Sequence, residues 1–193
     1  MCKMGSCGTI ADAMIVYSQQ VRMDLESLLR TKVDVYFHPE GSITKSVTTG
    51  FNNLLHILTD VESIKFSDYK SESNHLVFEE LEPNFTQDVS VFTNILRSRC
   101  RHTKQKDTGS AYIRIQTKGG LVNLETLLKQ VVSLREENEF HEFCAEKLFC
   151  DITKLEGVTG CMVMLLYSRR GSLDINPVRS THSYFIPEGL RSV

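Results

Sequence analysis

The stretch from Arg135 to Ile175, REENEFHEFCAEKLFCDITKLEGVTGCMVMLLYSRRGSLDI, constrains the fold more than any other. Phe140, Phe143, Cys144, Leu148, Ile152 and Leu155 recur at helical spacing, which predicts a long helix over 135–155 with one apolar face. Glu156-Gly157 marks a tight turn. Thr159 to Tyr167 (TGCMVMLLY) is then apolar at both alternating sets of positions, as in a strand covered on two sides. A helix laid on such a strand buries both. The expectation is a central strand roofed by the helix before it.

The remaining segments are read around that unit. Thr9 caps a predicted helix whose stripe is Ile10, Ala13, Met14, Tyr17, Val21, Leu25 and Leu28, ending near Thr31. Val33 to Phe37 alternates briefly before the turn at His38-Pro39-Glu40-Gly41. A second helix is predicted from 44–46, with Phe51, Leu54, Leu55, Leu58 and Val61 on one side. A polar loop over 65–74 leads to a short strand over 75–81. Val89, Phe92, Ile95 and Leu96 predict a third helix over 88–100. Ala111 to Lys118 alternates as a half-buried strand with Ile113 and Ile115 inward. Gly119-Gly120 stops it, and a helix over 121–134 runs toward the organising helix. Ser168-Arg169-Arg170-Gly171 is a hairpin turn, followed by a return strand from Leu173 to Ile175 and an edge strand over 180–186. Strands linked by hairpins among helices predict an α+β fold, with a mostly antiparallel central sheet and long helices on one face. The expectation is one domain over 1–193, with a flexible stretch at 1–8 and a mobile basic loop at 97–110.

Composition narrows the function only by exclusion. Hydrophobic residues at 41% and charged residues at 24% suit a folded domain, and a net charge of -2 gives no general pull toward nucleic acid or an anionic membrane. No apolar run reaches the roughly 18 residues of a membrane span. The opening MCKMGSCGTIADAM lacks the pattern of a secretory signal, so the cytoplasm or nucleus is expected. The six cysteines would then be thiols, and Cys144, Cys150 and Cys161 fall in apolar segments as small core residues.

No residue set spells out a reaction. His141 and Cys144 have i, i+3 spacing, but further zinc ligands are missing nearby, and Ala145 stands where a zincin helix needs its second histidine. Cys2 and Cys7 with Cys100 and His102 form a second conceivable zinc set, poorly spaced. A cysteine nucleophile needs a base and an orienting group, and none of the histidines is placed by sequence against a cysteine. Nucleophile-elbow and nucleotide-binding glycine motifs are absent. The basic run Arg97, Arg99, Arg101, Lys104 and Lys106 is read as a solvated loop. Neither a cofactor nor a metal is expected.

Gly160-Cys161-Met162-Val163-Met164 after a long helix, then a basic turn and Tyr184-Phe185-Ile186-Pro187, resembles the end of the comet family. That resemblance implies a HORMA-like fold and a non-enzymatic adaptor that silences the spindle checkpoint during cell division. It also implies two partners: a checkpoint HORMA-domain protein bound through the central helix, and an AAA+ ATPase that remodels it. Phe149 would be the aromatic anchor, with Glu142, Glu146 and Lys147 as rim charges. Nucleic acid and membrane are not among the implied partners. The run from Lys154 to Ile175 also resembles the roadblock and longin scaffolds, which implies a homodimer in trafficking or motor regulation. A cysteine- or zinc-dependent enzyme of unknown class is the third reading.

Overall fold

Two long strands, β3 (Thr86–Arg99) and β4 (Lys106–Lys118), pair antiparallel from end to end and form the backbone of the main sheet. The computed structural model describes residues 9–35, 47–70, 72–169, 171 and 173–187. The chain divides into two units, 1–47 with 188–193, and 48–187.

In the first unit, helix α1 (Ile10–Leu29) begins where the sequence says it should. Thr9 accepts a bond from the Asp12 N–H at 3.1 Å, and Arg30 closes the helix at a φ of 54°. The stretch expected to be flexible, 1–8, lies outside the described residues, as do 36–46; of the brief strand predicted over 33–37, the described part, 33–35, is not strand.

The second unit holds a five-stranded sheet in the order β1 (Asn52–Asn53), β3, β4, β6 (Val158–Tyr167) and β7 (Val178–Ser180). Only the β1–β3 pair is parallel. A separate two-stranded ladder joins β2 (Phe78–Glu80) to β5 (Gly120–Val122). Short helix α2 (Leu54–Ile57) follows β1, α3 (Leu124–Ser133) follows β5, and α4 (His141–Thr153) precedes β6. Val91, Leu96, Ala111, Ile113, Ile115, Cys161, Val163 and Leu165 come from one face of the sheet. They share a core with Leu127, Leu128 and Val131 of α3 and Cys144, Ala145, Leu148 and Ile152 of α4. The α+β class, the mostly antiparallel sheet and the helices on one face are therefore as expected.

Several elements differ from expectation for identifiable reasons. Residues 88–100 are strand, not helix: a register shift between Thr93 and Leu96 moves the inward set from Val91 and Thr93 to Leu96 and Ser98. That bulge imitates helical spacing. The predicted second helix is cut short because Gly50 turns at a φ of 87° and the Asn53 side chain caps Leu55. The organising helix starts at His141 because the preceding residues are strapped to β3. The Arg99 N–H donates to the Glu137 carbonyl at 2.8 Å, and Asn138 bridges Arg99 in parallel. β6 is buried on both faces as predicted, but the middle of the sheet is β4. The return strand lies at 178–180, and 183–185 form a 3-10 turn.

Candidate active site

The basic tract at 97–110 is the closed end of the β3–β4 hairpin. Arg97 and Arg99 end one strand and Lys106 opens the next. Arg99 pairs with Lys106, and the Cys100 N–H donates to the Gln105 carbonyl at 2.9 Å, which adds one more rung. The tip is tight enough to hold Lys104 at a φ of 58°, a left-handed conformation uncommon for a side chain other than glycine.

That register places chemistry on one face. Buried Ser98 lies opposite Asp107, and Cys100, two residues along, shares the Ser98 face. Cys100 and Asp107 are thus diagonal neighbours, a relation spanning about 7–8 Å between backbones. Helix α4 closes over the same corner with its first residue. His141 Nε2 lies 3.4 Å from Asp107 Oδ2, the two side chains being 11% and 5% exposed. Its other nitrogen, Nδ1, is 3.2 Å from the Ile175 carbonyl. A carbonyl only accepts, so Nδ1 carries a proton there. The second nitrogen, Nε2, faces the Asp107 carboxylate.

Two other walls finish the corner. The His141 ring stacks on Tyr167, with centroids 3.7 Å apart and planes 8° from parallel. Cationic side chains crowd the hairpin. Arg99 and Arg97 pair with Glu136, and Arg101 bonds Glu139 at 3.2 Å while lying over the Phe140 ring. On the far side of Asp107, a groove of about 400 Å³ is lined by Gln105, Lys106, Asp107, Thr108, Ser168, Arg169 and Gly171. Arg169 is bound there to Asp174, whose carboxyl it holds below its ordinary value.

The cysteines separate by environment. Burial pushes the Cys144 thiol up to about 11 and the Cys161 thiol up to about 12, and it also raises Cys150. Cys100 is half-buried, the one of these four thiols that lies at the hairpin tip and outside the apolar helix and strand segments.

The geometry gives no support to the His141–Cys144 zinc pairing that the spacing alone allows. His141 is committed to Asp107 and the Ile175 carbonyl, and Cys144 is fully buried. Among the described residues, no group of three His, Cys, Asp or Glu is arranged to hold a metal ion. Cys2 and Cys7 lie outside the described residues. Of the four residues assigned to a partner surface, Phe149 packs against the core, Lys147 bonds Asp151 at 2.7 Å and Glu146 pairs with Arg179, while Glu142 faces solvent. Sequence reading missed the Asp107–His141 pair because 34 residues separate its members. The one local signal was a histidine between Phe140 and Phe143 at the head of an oily helix.

No protein-family model matches the chain. It is 35% identical over 167 residues to the NADPH-dependent 7-cyano-7-deazaguanine reductase of Legionella pneumophila strain Lens, covering 84% of this chain and 54% of that protein. It is 39% identical over 133 residues to the enzyme of the same description from Polaromonas sp. strain JS666, covering 68% and 46%. The chain thus spans about half the length of the curated relatives it matches. Among solved structures, the archaeosine synthase QueF-Like in its apo form is 19% identical. It superposes with a TM-score of 0.38 over 56% of this chain and 94% of its own, a level that does not establish a shared fold.

These relatives overturn the comet resemblance, which rested on apolar strand residues that match by burial alone. The HORMA-like fold, the non-enzymatic adaptor role in checkpoint silencing and the HORMA and AAA+ partners fall with it. So does the exclusion of nucleic-acid chemistry, because the relatives are named for a modified guanine base. The nucleus is without support, the relatives being bacterial. Among the described residues, no helix is long and apolar enough to cross a membrane.

Proposed function

We propose that this chain carries the reacting thiol and the proton donors of an NADPH-dependent reductase acting on the nitrile of a 7-cyano-7-deazaguanine base. The observation that carries the reading is the Asp107–His141 contact at the end of the hairpin whose register sets Cys100 diagonal to Asp107. The likeness to two reductases across most of this chain supports it. Of the three functional readings of the sequence, the cysteine-dependent enzyme is the one that accords with them. A cytoplasmic location is part of the proposal.

The chemistry follows from the substrate class. A nitrile carbon is electrophilic, and a thiol adds across the triple bond: the Cys100 sulfur bonds to carbon, and a proton reaches nitrogen. Asp107 and His141, in contact through Oδ2 and Nε2, are the groups placed to pass that proton. Reduction of a nitrile to an amine consumes two hydrides and two protons, and breaks the carbon–sulfur bond to return the thiol. NADPH supplies the hydrides when bound. Donors in the groove beside Asp107 suit the phosphate portion of such a cofactor: Lys106 brings a cation, Thr108 and Ser168 bring hydroxyls 3.1 Å apart, and Arg169 would have to be shared with Asp174. At about 400 Å³ the groove is sized for that end of the molecule and not for the whole dinucleotide.

The test is NADPH oxidation on addition of 7-cyano-7-deazaguanine, with wild type, Cys100→Ala and His141→Asn compared. Turnover is expected in wild type alone, with losses of about 10²–10⁴-fold for the histidine variant, the range for a displaced proton donor. Wild-type rates in Cys100→Ala would remove the thiol from the mechanism.

A further inference from the structure

We propose that Tyr167 is the positioning residue of this corner: its buried ring fixes the plane of the His141 imidazole. The consequence for turnover rests on the function proposed above, whereas the geometric claim does not.

The need for such a residue is visible in what else holds His141. Its contact to Asp107 is 3.4 Å, longer than a well-formed charge-assisted bond. Its other partner is the carbonyl of Ile175, a residue 48% exposed in a segment where Leu173 is 71% exposed. His141 is also the first residue of its helix, where backbone restraint is weakest. Neither polar contact alone keeps the ring in place.

Tyr167 supplies what they lack. It closes β6, the strand buried on both faces, and is 5% exposed. Its N–H donates to Asn176 Oδ1 at 3.0 Å. The hydroxyl of Ser98, itself fully buried, donates to the Tyr167 hydroxyl at 3.3 Å. Cys144, one turn along α4, lies in the same buried cluster as Tyr167. A phenol held at both ends therefore presents a fixed flat surface. An imidazole stacked 3.7 Å above it can turn only by lifting off. In that plane, Nδ1 points at the carbonyl and Nε2 at the carboxylate together, so the stack makes both contacts compatible.

The test replaces the ring with a flexible apolar chain of similar reach, Tyr167→Met, and keeps it in Tyr167→Phe. The readout is the proton on His141 Nδ1 in nitrogen-edited NMR spectra, with kcat and KM for the nitrile as the second measure. Wild type and Tyr167→Phe should show a slowly exchanging Nδ1–H. Tyr167→Met should lose it, with kcat down about tenfold to a hundredfold, the scale for a misplaced reacting group, at unchanged KM. An unchanged Nδ1–H in folded Tyr167→Met overturns the proposal. If that variant does not fold, Tyr167→Phe decides alone: a retained signal supports the stack, and a lost one refutes it. A lost signal with wild-type turnover upholds the positioning and sinks the assigned catalytic role of His141.

Discussion

Replacing Gln130 with leucine would test how α4, and with it His141, is held in the fold. Gln130 is fully buried between α3 and α4. Its amide nitrogen donates to Asp151 Oδ2 at 2.9 Å, and its oxygen accepts the His75 N–H at 2.8 Å. Lys147 donates to the same Asp151 oxygen at 2.7 Å, so the carboxylate keeps one partner when the other goes. Losing a hydrogen bond to a charged group costs about 1.5–3 kcal/mol, and stranding the His75 N–H costs about 1–3 kcal/mol. Leucine recovers about 1 kcal/mol through apolar burial. The net expectation is a loss of about 3 kcal/mol, read from the urea midpoint at constant slope. Combining Gln130→Leu with Asp151→Ala should cost less than the two separately, by at least about 0.5 kcal/mol, because each removes the same bond. A loss below about 1 kcal/mol, or strict additivity, would mean that the buried amide does not join the helices.

Two further predictions concern titratable groups. Under native conditions iodoacetamide should modify Cys100 well before Cys144 and Cys161, whose thiols burial raises to about 11 and 12; peptide mapping over time would show the order, and early labelling of Cys161 would contradict the core packing. Burial, and then the charge of Glu139, raise the Glu137 carboxyl above its ordinary value of 4.5. The folded state therefore holds this proton more tightly than the unfolded chain. Its stabilising contribution is full below pH 4.5 and is lost as pH rises through the raised value. Glu137→Gln should accordingly stabilise the protein at neutral pH and lose that advantage in acid, as seen by thermal melts across pH.

Much of the scaffold was readable from side-chain pattern because burial writes itself into periodicity. The Thr9 cap, the alternation of Ile113 and Ile115, and the two-sided apolar run of β6 each report a local environment. β3 was misread for a reason that is equally physical: one bulge shifts its inward set by an odd step, and that shift conceals a period of two. The candidate site was not legible. Asp107 looked like one more polar residue in a basic tract, His141 looked like half of a metal pair, and Cys100 looked like a spare thiol. Hairpin register brings Cys100 and Asp107 onto one face, and helix packing adds His141. Neither relation has a signature within either segment. The Tyr167–His141 stack is hidden in the same way, since Tyr167 reads as the end of a core strand.

In the proposed reaction Cys100 Sγ is the atom that bonds the substrate. Incubating the protein with 7-cyano-7-deazaguanine in the absence of NADPH, and then measuring intact and peptide masses, tests it most directly. A single added mass equal to that of the nitrile is expected, mapped to the peptide bearing Cys100, absent in Cys100→Ala and retained in Cys150→Ala. An adduct on any other cysteine, or one that survives Cys100→Ala, would contradict it.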